Sequence, residues 1–287
     1  MNAKERKKWS SLYLLALAVI GSGLLMACND PTPVDTDAEG CGQNATEDCS
    51  EENFSFRSRA DIEEFCTNDC RHVFNLFFSG LEDVASLQGF NHFQNDEIRS
   101  RVSFRMLNGP EQVDGFHEVN ELSGVELSGN HSVKEVVLFE NLTRIRSSVE
   151  IDNNSSLEKL RILPNLLSQS DSNRNNDFRI ENNPVLREVG DMPLAREMSS
   201  LRVLNNDSLE TFGSLESLEE MHILHFADNP NLTSLPDLSS LRRVEFVVVF
   251  RNNPKLQLCE VEALLEQLEE APQNPSIIEG LSDEPCD

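Results

Sequence analysis

One phrase recurs along this chain and decides most of what it can fold into. Its clearest copy is Val149-Glu150-Ile151-Asp152-Asn153-Asn154-Ser155-Ser156-Leu157-Glu158-Lys159-Leu160. The same order of apolar, polar and amide residues returns from Phe178, Leu201, Leu224 and Val248, and a weaker copy begins at Val125 with Gly129-Asn130. The starts at 125, 149, 178, 201, 224 and 248 are separated by 24, 29, 23, 23 and 24 residues. A period in this range with one strand per unit is the mark of a solenoid.

The physics of one unit is readable. Val149 and Ile151 alternate with charged residues, so a short strand turns both to one face. The Asn pair follows where the chain must turn, because Asn tolerates left-handed backbone angles and bonds nearby main chain. Leu157 and Leu160 then re-enter the core. One coil cannot bury its own apolar face, so coils must stack. Stacking is expected to align Asn153, Asn182, Asn205, Asp228 and Asn252 as a structural ladder, each satisfying the turn of its neighbour. Calcium is the rival use of these residues, but no unit carries the Asp-x-Asp or Gly-Gly-x-Gly-x-Asp spacing such a site needs.

The run Glu140-Asn141-Leu142-Thr143-Arg144-Ile145 through Leu157 resembles the receptor L-domain. That family includes the ectodomain lobes of insulin- and epidermal-growth-factor-type receptors, fungal cell-wall proteins and many bacterial surface proteins. The closing run Asn252-Asn253-Pro254-Lys255-Leu256-Gln257-Leu258-Cys259-Glu260 resembles the way bacterial members end. The resemblance covers roughly residues 56–270. It implies a mainly β chain, a right-handed parallel β-solenoid related to leucine-rich repeats, and no catalytic residues. Fold alone does not fix function.

The N-terminus reads as a targeting signal. Lys4, Arg6, Lys7 and Lys8 precede an apolar run from Leu12 to Met26 that is short for a membrane span. Leu25-Met26-Ala27-Cys28 resembles the bacterial lipobox, in which the Cys is acylated and becomes the new N-terminus. The expectation is a signal peptide over 1–27 and lipidation at Cys28. Two or more acyl chains hold a protein stably on a bilayer. Asn29 is not the usual inner-membrane retention residue, so the expected location is the outer membrane of a bacterial envelope, with Asp30 leaving the sorting open. Loss of residues 1–27 removes four cations and Glu5, which moves the net charge from −26 to −29. Such a chain does not bind nucleic acid or anionic lipid through its bulk surface.

Residues 28–52, with Pro31, Pro33 and many acids, read as a flexible tether. Apart from Cys28 there are six cysteines, an even number that suits an oxidising compartment. Proximity along the chain suggests Cys41–Cys49, Cys66–Cys70 and Cys259–Cys286, out of fifteen formal pairings for six cysteines. No metal site is expected, since the histidines are isolated and no second Cys pair accompanies Cys66 and Cys70. The solenoid is expected over 53–271. It opens with a capping helix over Ala60–Cys66 and a first strand from His72 to Phe78, and ends in an amphipathic helix carrying Val261, Leu264, Leu265 and Leu268. Residues 272–287 read as a tail pinned back by Cys286.

The long step between 149 and 178 holds a wholly polar insertion. Ser170, Asp171, Asn173, Arg174 and Asn175 within it are the candidate binding loop, and a merely solvated loop is the competing reading. No nucleophile–base set, metalloprotease motif or phosphate loop is visible, and no cofactor is implied. The leading expectation is therefore a non-catalytic, surface-tethered recognition protein that binds a protein or glycan on a solenoid face. A structural or adhesive envelope protein without a discrete ligand is the alternative, and a carbohydrate-active enzyme on a β-helix ranks below both.

Overall fold

The computed structural model describes residues 47–67, 70–82, 87, 90, 101–169 and 177–286, all within one compact unit, Asp35–Asp287. Cys28, Cys41 and the candidate loop residues Ser170, Asp171, Asn173, Arg174 and Asn175 lie outside the described residues, as do the side chains of Cys66 and Cys70.

The chain begins β1 (Glu47–Phe56), α1 (Arg59–Thr67), β2 (Cys70–Ser79), β3 (Arg101–Arg105), β4 (Gln112–Gly115), β5 (Glu121–Leu122) and β6 (Gly124–Ser128). It continues β7 (Glu135–Leu138), β8 (Arg144–Ile145), β9 (Val149–Asp152), β10 (Lys159–Ile162), β11 (Ser168–Gln169), β12 (Asp177–Glu181) and β13 (Glu188–Val189). It closes with β14 (Glu197–Leu204), β15 (Thr211–Phe212), β16 (Glu220–Ala227), β17 (Arg243–Gln257), α2 (Leu258–Gln267) and β18 (Ile277–Ser282).

These elements form a parallel β-solenoid of about nine turns, with repeats near 24 residues. The long face is built from β1, β2, β3, β6, β9, β12, β14, β16, β17 and β18, paired in that order. A second face stacks β4, β7, β10, β13 and β15. A third carries β5, β8 and β11, and merges with the long sheet because β14 bends: Glu197 pairs with Ser168, while Ser200–Leu204 pair with β12.

Strand alternation sends two rows of the long face inward. One runs Phe56, Phe78, Phe104, Leu127, Ile151, Ile180, Val203, Phe226, Phe250, each aligned with the next. Phe78 stacks on Phe56 and Phe104 at 4.7 and 5.2 Å, and Phe226 on Phe250 at 5.7 Å, so both ends of this row are aromatic. Phe90 and Phe116 also pack on Phe78, so Phe56, Phe78, Phe90, Phe104 and Phe116 form one buried aromatic cluster at this end.

After β1, each described strand of the long face meets a left-handed residue at its end or within it. Gly80, Met106, Gly129, Asn153, Asn182, Asn205, Asp228, Asn252 and Gly280 all have φ between 50° and 68°. Gly, Asn and Asp bear this conformation most easily, which explains the composition of the corner. The expected ladder of Asn153, Asn182, Asn205, Asp228 and Asn252 is therefore corrected by one residue. These five hold the turn, and four of them are exposed. The ladder is the following row, Asn130, Asn154, Asn183, Asn206, Asn229 and Asn253, each fully buried. After the left-handed residue the chain turns inward, so it is the second amide that enters the stack. Each side-chain amide from Asn130 to Asn229 donates to the side-chain oxygen of the next coil's Asn at 2.8–3.2 Å. Each also donates to a carbonyl of the coil before, as Asn206 does to Ile180 O at 3.0 Å. Each of these oxygens also accepts a backbone N–H of the previous coil, as Asn206 does from Asn183 N at 3.1 Å. The steps along the ladder are 24, 29, 23, 23 and 24 residues, the spacing of the sequence phrase.

The ends are closed as their patterns suggest, with two differences. Helix α1 begins at a reciprocal cap: Arg57 N and Ser58 N donate to Asp61 Oδ2, and Asp61 N donates to Ser58 Oγ. Helix α2 buries Val261 and Leu264 against the last coil. The sheet starts at Glu47, inside the expected tether, with β1 ahead of the strand expected first. The expected tail contains β18, which joins the long face through Val249↔Ile277 and Phe250↔Ile278. The Cys259–Cys286 disulfide, with Cα atoms 6.1 Å apart, closes this end. Cys49 is also disulfide-bonded. Among the described residues, no helix is long and apolar enough to cross a membrane.

Candidate functional site: the outer side of the long face

Between the two inward rows runs one outward row, and register makes it continuous. It reads Ser55, Phe77, Ser103, Glu126, Glu150, Arg179, Arg202, His225, Val249 and Ile277. Neighbouring strands lie about 4.8 Å apart, so successive side chains touch. The row falls into three chemistries. Its N-terminal stretch is mixed, with Phe74 beside it 42% exposed. The centre is charged. The C-terminal stretch becomes apolar through Val249 and Ile277, flanked by half-buried Ile223 and Val247.

The charged centre is a network rather than a set of pairs. Glu126, only 5% exposed, accepts from Ser103 Oγ at 3.0 Å, from Arg105 Nε at 2.6 Å and from Arg101 at 3.4 Å. Arg101 also reaches Glu150 at 3.5 Å. One coil row further on, Asp177 receives Arg179 at 2.7 Å and Arg202 Nε at 3.3 Å. Burial alone would raise the Asp177 carboxyl, but the hydrogen bonds and charge of Arg179 and Arg202 outweigh it and hold Asp177 below the ordinary 3.8. Burial pushes the Glu181 carboxyl above its ordinary 4.5, against the pull of Arg179 and Arg202. Arg179, bonded to Asp177 and 3.3 Å from Glu181, serves both.

Past this network the bonding thins. Arg202 spends its Nε on Asp177, and among the described residues its terminal nitrogens make no bond. His225, register partner of Arg202, has a buried Nε2 with no hydrogen bond. Burial, then Arg202 and Arg251, depress the His225 imidazole below its ordinary 6.5, with Asp228 opposing. Arg251 reaches Asp228 through one terminal nitrogen at 3.1 Å, and among the described residues its other terminal nitrogen and its Nε make no bond. Asp228 itself is held low by the Asn252 side-chain amide, at 2.8 Å, and by Arg251.

Of the expected site residues that are described, the corner row borders this face, through Asp228 and Asn252. Sequence reasoning passed over Arg202, His225 and Arg251. The signal was present: with a 23–24-residue phrase, the polar residue between the two inward positions of each strand can be tabulated in advance, and the row then reads Glu, Glu, Arg, Arg, His. Among the described residues no group of three or more His, Cys, Asp or Glu could hold a metal ion. Comparison with protein-family models, curated proteins and solved structures finds no match to this chain.

Proposed function

We propose that this chain is a lipid-anchored recognition protein of a bacterial envelope, held by Cys28 and presenting the long solenoid face to a protein or glycan. The observation that carries the reading is the outward row itself. Ten strands hold one register, and their outward residues include a cluster of under-bonded cations beside apolar side chains. The two described helices pack at the ends of the stack, α1 against β1 and α2 against β17, and Phe77, Glu150, Arg179, Arg202 and His225 of the row keep part of their surface exposed. Contiguous polar and apolar side chains on a rigid scaffold are what recognition surfaces are made of. The signal-like N-terminus and lipobox support the anchor, and the paired cysteines suit an oxidising compartment.

The enzyme reading would rest on Asp177 and Glu181, whose carboxyls are pushed apart in the manner of an acid–base pair. Here both directions trace to burial and to ion pairing with Arg179 and Arg202, as in a structural network. A structural protein without a ligand is distinguished by experiment. The full chain is immobilised and exposed to the organism's envelope extract, and a saturable partner is the expected result. No partner, together with an envelope defect on deletion, supports the structural alternative. For the anchor, Cys28→Ser is expected to abolish acyl-chain labelling and shift the protein out of the detergent phase. Unchanged mass and partitioning would refute lipidation.

A further inference from the structure

We propose that Arg202, His225 and Arg251 form a docking site for an acidic peptide segment of a partner protein, with a carboxylate seated between the two guanidiniums and an apolar neighbour over Ile223 and Val247. This deepens the recognition reading and rests on it.

Three observations carry it. Register places Arg202 beside His225, and Val249 on the other side of His225, while Arg251 lies two residues beyond Val249 on the same strand. Both guanidiniums have donors to spare, namely the terminal nitrogens of Arg202 and the Nε and second terminal nitrogen of Arg251, and beside them the buried Nε2 of His225 has no hydrogen bond among the described residues. A chain of net charge −26 repels anions broadly, so a concentration of unspent donors on it selects a negatively charged group that reaches this point. A planar carboxylate matches the guanidinium fork.

The choice of a peptide over a sugar follows from what surrounds the cluster. Half-buried Ile223 and Val247 border it, and they suit an aliphatic side chain. Sugar rings are commonly received on tryptophan or tyrosine. The only ones in this sequence, Trp9 and Tyr13, precede Cys28.

The site has a built-in pH response. The charged groups facing His225 are Arg202 from β14, Arg251 from β17 and Asp228 at the end of its own strand. With burial and the two cations prevailing over Asp228, the imidazole is neutral at pH 7. An arriving carboxylate reverses that balance and favours the imidazolium, so binding takes up a proton. By linkage, affinity then rises as pH falls from 8 to 6, and is lost near pH 4 as the ligand's own carboxyl protonates.

The test uses the full chain in mild non-ionic detergent and a fluorescent, end-blocked peptide of alternating Glu and Leu, followed by anisotropy. Saturable binding is expected, tightening about five-fold between pH 8 and 6. The matching Gln–Leu peptide, and the variants Arg202→Gln and Arg251→Gln, are each expected to bind about ten-fold more weakly, while Arg144→Gln on the third face leaves binding unchanged. Circular dichroism confirms that each variant is folded. Equal binding of the Gln peptide, or no loss in Arg202→Gln and Arg251→Gln, overturns the site. Preference for oligogalacturonate over the peptide overturns it in favour of a glycan. If the peptide fails but a saturable envelope partner is still captured, this site falls and the recognition reading stands; if both fail, both fall.

Discussion

At position 225 an imidazole is buried in part, without a hydrogen bond, between two guanidiniums. Because its pKa in the folded chain lies below 6.5, the unfolded chain binds the proton first as pH falls. The stability tied to a neutral His225 is fully present above about pH 6.5 and is lost as pH drops toward the folded value. Urea midpoints at pH 7.5 and 5.5 are expected to show a larger acid loss in the wild type than in His225→Gln. Equal losses would mean the imidazole is not held neutral by its surroundings. At this scale the sequence was legible in kind but not in phase. Two amides stand side by side in most units, and propensity permits either one in the turn. What separates them is variation: the first position is Gly129, Asn153, Asn182, Asn205, Asp228 or Asn252, all suited to positive φ, whereas the second is Asn in all six units. Only a side chain that both donates and accepts can form an unbroken buried ladder, and Asp or Gly cannot supply both roles.

Among the elements, those with strong apolar periodicity were readable and those held by pairing were not. Helix α2 was visible in Val261, Leu264, Leu265 and Leu268, and β9 and β12 in their alternation. Strand β1 was hidden because Glu47–Asn53 is polar and acidic; its pairing with β2 and the anchoring of Phe56 in the core make it a strand. Strand β18 was hidden behind Pro272 and Pro275, which read as the start of a tail. It is held by β17 on one side and by the covalent closure of a 27-residue separation. Opening that closure with Cys259→Ser and Cys286→Ser together is expected to cost about 3–4 kcal/mol on the loop-entropy account. The loss should be local, with faster amide exchange over Ile277–Ser282 and little change in β9 or β12. Uniform acceleration across the stack would show that this end does not unfold on its own. The two-residue strands of the second and third faces, such as β13 and β15, carry no sequence signal beyond the period.

For the molecule as a whole, the long face exists as a surface only because the coils keep one register. Inward rows of Phe, Leu, Ile and Val supply the burial that drives stacking, but apolar contacts are non-directional and do not by themselves fix which residues align. The ladder does, since each buried Asn is bonded to the coils on both sides. In a stack whose coils touch only their neighbours, a break at mid-ladder uncouples the two halves. The most direct measurement compares Asn205→Gly with Asn206→Gly in urea melts of the full chain. Asn205 is exposed with φ 55°, a conformation that Gly adopts freely, so its replacement is expected to change stability by less than about 1 kcal/mol. Replacing Asn206 leaves Asn183 N–H, Ile180 O and the neighbouring amides buried without their partner, at an expected cost of about 3 kcal/mol or more. Equal losses at the two positions would contradict the ladder, and with it the register on which the proposed face depends.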